Sequence, residues 1–198
     1  QECRVGFIGE NMKKSSFKIP EGRELRIAIS GPSGCGNTTV SSLIATTLNL
    51  SCINYTFKNI AKELGISFEE VLKRAQKDFS FDKMVDQKQI ELASAGSCVL
   101  GSRLAVWLLK QADLRVYLKA SIDVRAKRIQ KREGGNIEKI KVDTDLRDME
   151  DTRRYKELYG IDNTKYEKAD IVIDTDNLEP EKIVEKILDE LYDRGLLI

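Results

Sequence analysis

The sequence predicts an α/β fold in which helices cover both faces of a parallel β-sheet. Three observations support this prediction: short apolar runs typical of buried strands, amphipathic helical periods between them, and a glycine-rich loop directly after the first run. Strands that alternate with helices form parallel sheets, because each helix returns the chain to the same end of the sheet. With 198 residues, 41% of them apolar, the chain is long enough for one sizeable core, so we expect one domain.

The predicted elements follow one another in a regular order. The first strand covers residues 25–30, and residues 38–48 repeat apolar side chains at helical spacing. A capping box that begins at Ser67 opens a helix through residue 77. The other predicted strands are 50–55, 97–100, 114–120 and 170–174. The other predicted helices are 56–65, 81–95, 104–110, 123–132, 145–159 and one from Pro180 onward.

Residues 31–39 form a phosphate-binding loop between the first strand and the first helix. They read Gly-Pro-Ser-Gly-Cys-Gly-Asn-Thr-Thr and fit the spacing G-x-x-x-x-G-x-[ST]. In such a P-loop, backbone N–H groups and the positive end of the helix surround an anion. Asn37 stands where the motif has a lysine that reaches the β- and γ-phosphates, and Thr38 takes the hydroxyl position that coordinates Mg²⁺. The residues expected to line this cradle are Ser33, Gly34, Cys35, Gly36, Asn37, Thr38 and Thr39.

Composition and charge argue against several classes of function. Lys and Arg total 33 and Asp and Glu 32, so no strong positive field attracts nucleic acid. The longest apolar run, 104–109, is far shorter than the roughly 20 residues that span a bilayer. The chain has no histidine, and its four cysteines show no C-x-x-C pair, which argues against a zinc site and His-based catalysis. We therefore expect a cytoplasmic, monomeric protein that binds neither nucleic acid nor membranes.

Residues 1–22 do not fit the alternation of strands and helices. The segment contains a basic stretch at 13–16 and the turn sequence Pro20-Glu21-Gly22. We interpret it as an N-terminal appendage to a domain that spans residues 23–198, and a functional arm is the alternative.

Five segments, in order along the chain, carry a family resemblance. They read Arg26-Ile-Ala-Ile-Ser-Gly-Pro-Ser-Gly, Asp86-Gln-Lys-Gln-Ile-Glu-Leu-Ala, Arg103-Leu-Ala-Val-Trp, Arg125-Ala-Lys-Arg-Ile-Gln-Lys-Arg-Glu-Gly and Arg154-Tyr-Lys-Glu-Leu-Tyr-Gly-Ile-Asp. From residue 25 onward the sequence resembles cytidylate kinases, in the archaeal-type branch of the P-loop nucleoside monophosphate kinases. The resemblance implies a five-stranded parallel sheet of the P-loop NTPase type, a helical insertion near 56–96 that holds the acceptor monophosphate, and a lid near 133–152. It also implies ATP and Mg²⁺ as cofactors and CMP or dCMP as the acceptor.

Clustered arginines are the expected signature of this chemistry. Phosphoryl transfer between two anions needs positive charge that offsets their repulsion and holds them in line. Arg125, Arg128 and Arg132 lie at i, i+3 and i+7 and can share one helix face. On the family pattern Arg128 and Arg132 face ATP. A solvated basic face is the alternative, and we favour it more for Arg125 than for Arg128.

A second group of charges lies on the long helix near the C-terminus. Arg147, Asp151 and Arg154 follow i, i+4, i+7 spacing and project from one stripe. By resemblance the two arginines bind the acceptor phosphate and Asp151 accepts from the cytosine amino group; an ordinary surface salt bridge is the alternative. The resemblance also assigns the acceptor phosphate to Arg103, after a strand, and more loosely to Lys58. The predicted catalytic residues are Asn37, Arg132, Arg147 and Arg154, and the predicted acceptor-binding residues are Lys58, Arg103, Arg147, Asp151 and Arg154.

Two positions depart from the family pattern. Asn37 lacks the positive charge of the motif lysine, and Gly101 stands where relatives have an acidic residue. The loss of one positive and one negative charge has two interpretations. Either the two losses compensate each other in an active site, or both reflect the decay of catalytic activity. Three hypotheses follow: a kinase of CMP and dCMP, a nucleotide-binding protein with weak or lost kinase activity, and a P-loop kinase for another small acceptor.

Overall fold

A parallel β-sheet of five strands forms the centre of the computed structural model, which describes residues 17–198. The strands are β1 (Arg26–Ser30), β2 (Ser51–Ile53), β3 (Cys98–Gly101), β4 (Leu114–Lys119) and β5 (Ile171–Asp174). They lie in the order β2-β3-β1-β4-β5, and every neighbouring pair is parallel. The predicted five-stranded parallel sheet is confirmed. Ligands bind such sheets at the carboxyl ends of the strands, where the order changes direction.

Eight helices lie within the described residues. They are α1 (Asn37–Leu48), α2 (Phe57–Leu64), α3 (Phe68–Ala75), α4 (Ser80–Ser94), α5 (Ala105–Leu108), α6 (Ile122–Glu133), α7 (Ile137–Tyr159) and α8 (Pro180–Asp193). Across residues 17–198, none of these helices is both long enough and apolar enough to cross a membrane.

Both faces of the sheet are buried, as the apolar strands predict. On one face Ile27 and Ile29 of β1 pack with residues of α1, β4 and α8, such as Ile44 and Ile187. On the other face Ala28 packs with residues of β2, α4 and the segment around α5. Alternate residues of β1 therefore point into two separate cores, and this period-2 burial holds the strand in its register.

Helices α2, α3 and α4 form a small core of their own beside the sheet. It contains Tyr55, Ile60, Val71 and Phe81, all buried. These helices occupy the segment in which the resemblance implies a helical insertion. Because they share this core, they form one wall that faces the carboxyl edge of the sheet.

The long helix begins earlier than the sequence predicts. Helix α7 starts at Ile137 rather than near residue 145, because the side chain of Asn136 caps it and accepts from the backbone N–H of Lys139 at 3.0 Å. In its first half the inward side, at residues 137, 140, 141 and 144, carries few apolar side chains, and the apolar Val142 and Leu146 are exposed. The apolar residues therefore do not mark the inner face of this half. The turn between α6 and α7 is therefore short, and the segment predicted as a lid is largely helical.

Residues that directly precede the sheet pack onto the domain. Phe17 and Ile19 contact the core formed by α1 and α8. Lys18 and Ile198 exchange two backbone hydrogen bonds, both of 2.9 Å. The end of the predicted appendage is thus joined to the C-terminus, and its first part, residues 1–16, lies outside the described residues.

Gly101, at the end of β3, lies in direct contact with α1. A Cβ placed on Gly101 would lie 2.3 Å from the Oγ of Ser41 and 3.0 Å from its Cβ. Ser41 is 1% exposed, so its side chain has little room to move. A side chain at residue 101 therefore requires that Ser41 or the backbone of α1 shift.

We expect Gly101→Ala to lower the free energy of unfolding by about 1–3 kcal/mol, which is the usual cost of overpacking. Urea denaturation measures this change. Gly96→Ala is the matched control, because nothing lies within 4 Å of a Cβ at Gly96. Equal losses of stability in the two variants would contradict the packing argument.

Candidate active site

A cleft of about 1610 Å³ opens at the carboxyl edge of the sheet. Its walls come from the phosphate-binding loop and the start of α1, the turn after β3, helices α2 to α4, helices α6 and α7, and the segment before α8. All of the sequence-predicted site residues except Lys58 line this cleft. The fold thus brings together groups that are more than 100 positions apart in the sequence.

The phosphate-binding loop has the geometry of an anion cradle. Gly34 and Gly36 adopt left-handed backbone angles, with φ of 83° and 107°. Helix α1 has no side-chain cap at Gly36, so its first N–H groups remain available to a ligand. Thr38 and Thr39 are exposed beside these N–H groups. The residues present therefore fit a nucleotide phosphate, and Thr38 can offer a hydroxyl to a bound Mg²⁺.

The side chains of Cys35 and Asn37 bind within the loop itself. The Nδ2 of Asn37 donates to the carbonyl oxygen of Gly31 at 2.9 Å, and its Oδ1 accepts from the Sγ of Cys35 at 3.3 Å. Cys35 is fully buried, and this burial raises the pKa of its thiol to about 11. Only the backbone of Cys35 can therefore contact a nucleotide. In this arrangement the side chain of Asn37 stabilises the loop and does not extend to the place of a lysine ammonium.

Arg128 connects the phosphate-binding loop with the segment after β5. Its Nη2 donates to the carbonyl oxygen of Thr175 at 2.6 Å, and its Nη1 donates to the Oγ1 of Thr175 at 2.9 Å and to the carbonyl oxygen of Cys35 at 3.4 Å. The alternative of a solvated basic face does not hold for Arg128. The guanidinium lies beside the loop on the wall formed by α6.

Arg132 and Arg147 lie on the two sides of the turn between α6 and α7. Both are exposed and line the cleft. Arg132 pairs with its sequence neighbour Glu133, at 2.5 Å, and Arg147 has no ion pair with another described residue. Neither side chain is fixed by a buried partner, so both can turn toward an anion in the cleft.

Alternating charges connect the phosphate-binding loop with the helical wall on the other side. We call the following residues the ion-pair chain: Arg125, Asp148, Arg103, Asp151, Arg154 and Asp82. The last four line the cleft, whereas Arg125 and Asp148 lie behind its wall. The chain joins α6, α7, the turn after β3 and α4.

Asp151 lies at the centre of the cleft-lining part of the ion-pair chain. This carboxylate is 5% exposed; its Oδ2 accepts from the Nη1 of Arg103 and its Oδ1 accepts from the Nη2 of Arg154 at 2.6 Å. Arg154 also donates to the Oδ1 of Asp82 at 3.2 Å. The three residues of the stripe predicted from i, i+4, i+7 spacing therefore differ in their surroundings. Asp151 and Arg154 are paired in the cleft wall, and Arg147 is unpaired at its entrance.

The part of the ion-pair chain beside the phosphate-binding loop was not predicted from the sequence. Arg125, for which a solvated face was favoured, is 8% exposed, and its Nη1 donates to the carbonyl oxygen of Ser33 at 3.2 Å and to Asp148. The reason is a close fit of α6 against the loop, since a Cβ on Gly34 would lie 2.9 Å from the carbonyl oxygen of Arg125. Asp148 gave one usable signal: it lies three residues before Asp151, on the same stripe of α7.

Two further carboxylates line the cleft on α4. Burial raises the pKa of Asp82 against the opposing effect of Arg154, and its Oδ2 has no hydrogen-bond partner among the described residues. Asp86 accepts from the hydroxyl of Tyr159 at 2.7 Å, and burial raises the pKa of Asp86 to about 6. This wall therefore offers carboxylate oxygens to a ligand group that donates hydrogen bonds.

Lys58 does not reach the cleft. It is exposed on α2, and its ammonium lies 5.8 Å from the centre of the Phe68 ring. Neighbouring helix residues point about 100° apart, and Phe57 occupies the side that faces the cleft. In this arrangement Lys58 does not line the cleft, and its binding of the acceptor stays a prediction.

Asp86 makes the stability of the protein depend on pH. Because its pKa in the folded state, about 6, lies above the ordinary value of 3.8, the folded state binds this proton more tightly. Asp86 therefore reduces stability progressively as the pH rises from about 4 to above 6. We expect Asp86→Asn to raise the Tm by about 3 °C or more at pH 7.5 and by little at pH 4.5, measured by calorimetry.

Asp143→Asn, at an exposed position on α7, is the control for this comparison. It is expected to change the Tm equally at the two pH values. If Asp86→Asn also changed the Tm equally at both, the raised pKa of Asp86 would be refuted.

The comparisons with known proteins agree with this fold and this cleft. Residues 26–177 match the sequence model of the cytidylate kinase-like family. A protein named cytidylate kinase 2 from Borreliella burgdorferi is 44% identical over 176 residues, which cover 87% of this chain and 98% of that protein. The cytidylate kinase of Pyrococcus horikoshii is 40% identical over 173 residues, which cover 85% of this chain and 90% of the relative.

Solved structures show the same fold at low identity. Shikimate kinase from Acinetobacter baumannii, in complex with shikimate, superposes with a TM-score of 0.61 at 19% identity and covers 86% of this chain and 94% of its own. Deoxyadenosine kinase from M. mycoides, with bound dATP, gives a TM-score of 0.52 at 17% identity over 85% of this chain and all of its own. From the family match and the relatives' identity over most of its length, the chain belongs to the cytidylate kinase-like family of nucleoside monophosphate kinases.

Proposed function

We propose that this chain transfers the γ-phosphoryl group of ATP to CMP or dCMP in the presence of Mg²⁺. One observation carries the proposal: the phosphate-binding loop and the Arg103–Asp151–Arg154 cluster face each other across one cleft. The names of the relatives support a cytidylate acceptor. The reaction needs positive charge near both phosphates and an in-line approach. Arg128 beside the loop and Arg103 and Arg154 on the opposite side would supply this charge, although the two latter arginines share it with Asp151 and Asp82.

The donor nucleotide would bind on the side of the loop. Backbone N–H groups of the loop and of the first turn of α1 would hold the β- and γ-phosphates, and Arg128 would keep the loop in position. Mg²⁺, when bound, would neutralise phosphate charge. No group of three or more His, Cys, Asp or Glu side chains suited to a metal occurs within residues 17–198. The hydroxyl of Thr38 and the phosphate oxygens are therefore the proposed metal ligands.

The acceptor monophosphate would bind on the opposite side. Arg103 uses one of its nitrogens for the two carboxylates that it contacts. A guanidinium has five N–H donors, so Arg103 has donors for a phosphate, which would compete with the two carboxylates for it. Arg154 lies beside it through their common partner Asp151. Arg132 and Arg147, at the cleft entrance, would then close over the transferred phosphoryl group.

Carboxylates near this position would distinguish the base. The amino group of cytosine donates hydrogen bonds, whereas uracil presents a carbonyl oxygen at the same place. Asp151 and the unpartnered Oδ2 of Asp82 are acceptors in the cleft wall. A carbonyl placed against them would leave buried acceptors facing each other, which costs about 1–3 kcal/mol.

We therefore expect kcat/KM for CMP and dCMP to exceed that for UMP by about tenfold or more, in line with that cost. A coupled assay with purified protein, ATP and Mg²⁺ over the three monophosphates measures this preference. Turnover of UMP at the same kcat/KM as CMP would refute the assignment of the acceptor.

A pair of neighbouring arginines serves as the control that assigns the activity to this cleft. Arg154→Ala should reduce kcat/KM for CMP by roughly tenfold to 100-fold, because charge-assisted contacts contribute about 1.5–3 kcal/mol. Arg153 is exposed and pairs with Glu157 on the outside of α7, so Arg153→Ala should have little effect. Similar losses in both variants would show that the cluster is not the acceptor site.

A second candidate function is a nucleotide-binding protein with weak or lost phosphoryl transfer. Asn37 favours it, because its side chain is directed to Gly31 and leaves the lysine position without charge. The backbone oxygen of Asn37 lies only 3.6 Å from a Cβ placed on Gly101, so the two departures from the family pattern are neighbours. Ser41 fills the space that a carboxylate at residue 101 would need.

Asn37→Lys separates the two candidates. If the arginines of α6 and α7 already supply the missing charge, the variant loses the contacts to Gly31 and Cys35, and kcat should stay flat or fall. If the site has decayed, kcat at saturating ATP should rise by about tenfold or more, the lower range for one electrostatic contact. We expect the first result.

Asn37→Gln is the matched control, since it changes the length of the side chain without adding charge. A gain of tenfold or more in Asn37→Lys, with none in Asn37→Gln, would favour the decayed site.

A further inference from the structure

We propose that Asp148 is a positioning residue that couples the donor site to the acceptor site. The inference rests on the proposed function, because it takes Arg103 as a ligand of the acceptor and the loop as the site of the donor. Asp148 lies behind the wall of the cleft and does not line it. It would act through the two arginines that it holds.

Asp148 bridges two parts of the molecule that would bind different substrates under the proposed function. Its Oδ1 accepts from the Nη1 of Arg103 at 3.5 Å, in the turn after β3, and its Oδ2 accepts from the Nη1 of Arg125, on α6. The side chain of Asp148 is 22% exposed and that of Arg125 is 9% exposed. Charges this far removed from water interact more strongly than charges at the surface.

On the donor side, Arg125 contacts the phosphate-binding loop directly, so a shift of Arg125 would move the loop. Its side chain donates to the carbonyl oxygen of Ser33 at 3.2 Å, and its backbone lies against Gly34, with no room for a Cβ between them. The Nε of Arg125 is buried without a hydrogen-bond partner among the described residues. Asp148 therefore supplies the carboxylate that holds this guanidinium beside the loop.

On the acceptor side, Arg103 is shared between two carboxylates. Its Nη1 contacts both Asp148 and Asp151, and Asp151 has Arg154 as a second partner. A phosphate that binds Arg103 competes with these carboxylates. Once Arg103 turns to the phosphate, Asp148 keeps Arg125 as its remaining partner.

The consequence is positive coupling between the two sites. When the acceptor engages Arg103, Asp148 pairs with Arg125 alone and orders Arg125 and Ser33 before the donor arrives. A loop that is already ordered loses less conformational freedom when ATP binds, so ATP binds more tightly. By thermodynamic reciprocity, the bound donor increases the affinity for the acceptor by the same factor.

The test measures the Kd of a non-hydrolysable ATP analogue with Mg²⁺, in the absence and presence of saturating CMP, by calorimetry. For the unaltered chain we expect CMP to lower the Kd of the analogue by about fivefold or more, the lower range of such coupling. In Asp148→Asn we expect a factor below about twofold. A side chain that served only the stability of the fold would not change this ratio in a protein that folds.

Asp145→Asn is the matched control on the same helix, because Asp145 is exposed and has no ion pair within the described residues; it should keep the full ratio. Arg125→Gln breaks the same link from the other end and should lose the ratio in the same way, which covers the case in which Asp148→Asn does not fold. Cooperative thermal unfolding shows that each variant is folded.

Three outcomes would overturn the inference and leave the proposed function intact: no coupling in the unaltered chain although both ligands bind, an unchanged ratio in a folded Asp148→Asn or Arg125→Gln variant, or an equal loss in Asp145→Asn. A different outcome, in which CMP does not bind the unaltered chain at all, would refute the proposed acceptor itself. The two failures are therefore distinguishable in one experiment.

Discussion

The close contact between the phosphate-binding loop and helix α6 is the constraint on which the cleft depends. A Cβ on Gly34 would lie within 3.2 Å of three atoms of Arg125, so the loop and the first turn of α6 fit together only with a glycine at this position. This contact sets the position of α6 and directs Arg128 toward Thr175 and the carbonyl oxygen of Cys35. It also holds Arg125 where its side chain reaches both Ser33 and Asp148. A change at Gly34 would therefore disturb both the phosphate-binding loop and the ion pairs of Asp148.

Buried polar atoms without a hydrogen-bond partner lie at the cleft or beside it. Three buried side-chain atoms within the described residues have no hydrogen-bond partner: the Oγ of Ser41, the Oδ2 of Asp82 and the Nε of Arg125. Ser41 contacts Gly101, Asp82 lines the cleft and Arg125 supports its wall. Buried groups of this kind reduce stability, and folded proteins keep few of them away from functional sites. All three atoms thus lie in the cleft or against residues that form it.

The parts that could be predicted from sequence depend on local spacing. The loop pattern at residues 31–39 gave the phosphate cradle, and the i, i+3 relation of Asp151 and Arg154 gave a real ion pair. Contacts between distant segments gave no such signal. The pairing of Asp148 with Arg103 and Arg125 depends on how α7 crosses α6 and the turn after β3, and no periodicity encodes that crossing.

The positions of two further side chains have equally specific causes. Lys58 is one residue away from the cleft-facing side of α2, and a rotation of about 100° places it outside the site. The direction of the Asn37 side chain depends on acceptors and donors that the loop itself creates, the carbonyl oxygen of Gly31 and the thiol of Cys35. Neither effect can be derived from residue type alone.

Helices α6 and α7, on either side of their connecting turn, carry both arginines held in buried ion pairs and exposed arginines. Helix α6 is anchored at its start by the loop, and α7 is anchored by the buried residues Thr144, Asp151 and Tyr155. Ion pairs hold Arg125 and Arg154 near these anchors, whereas Arg132 and Arg147 are exposed. Arg132 lies just before the Gly134–Gly135 turn, where both glycines have positive φ, and Arg147 lies about three turns into α7. If the cleft transfers a phosphoryl group as proposed, Arg132 and Arg147 would bring the positive charge that Asn37, directed into the loop, does not supply. Under the proposed function, the unusual loop and the exposed arginines are thus two parts of one arrangement, in which charge is supplied when the helices meet the nucleotide and is not built into the loop.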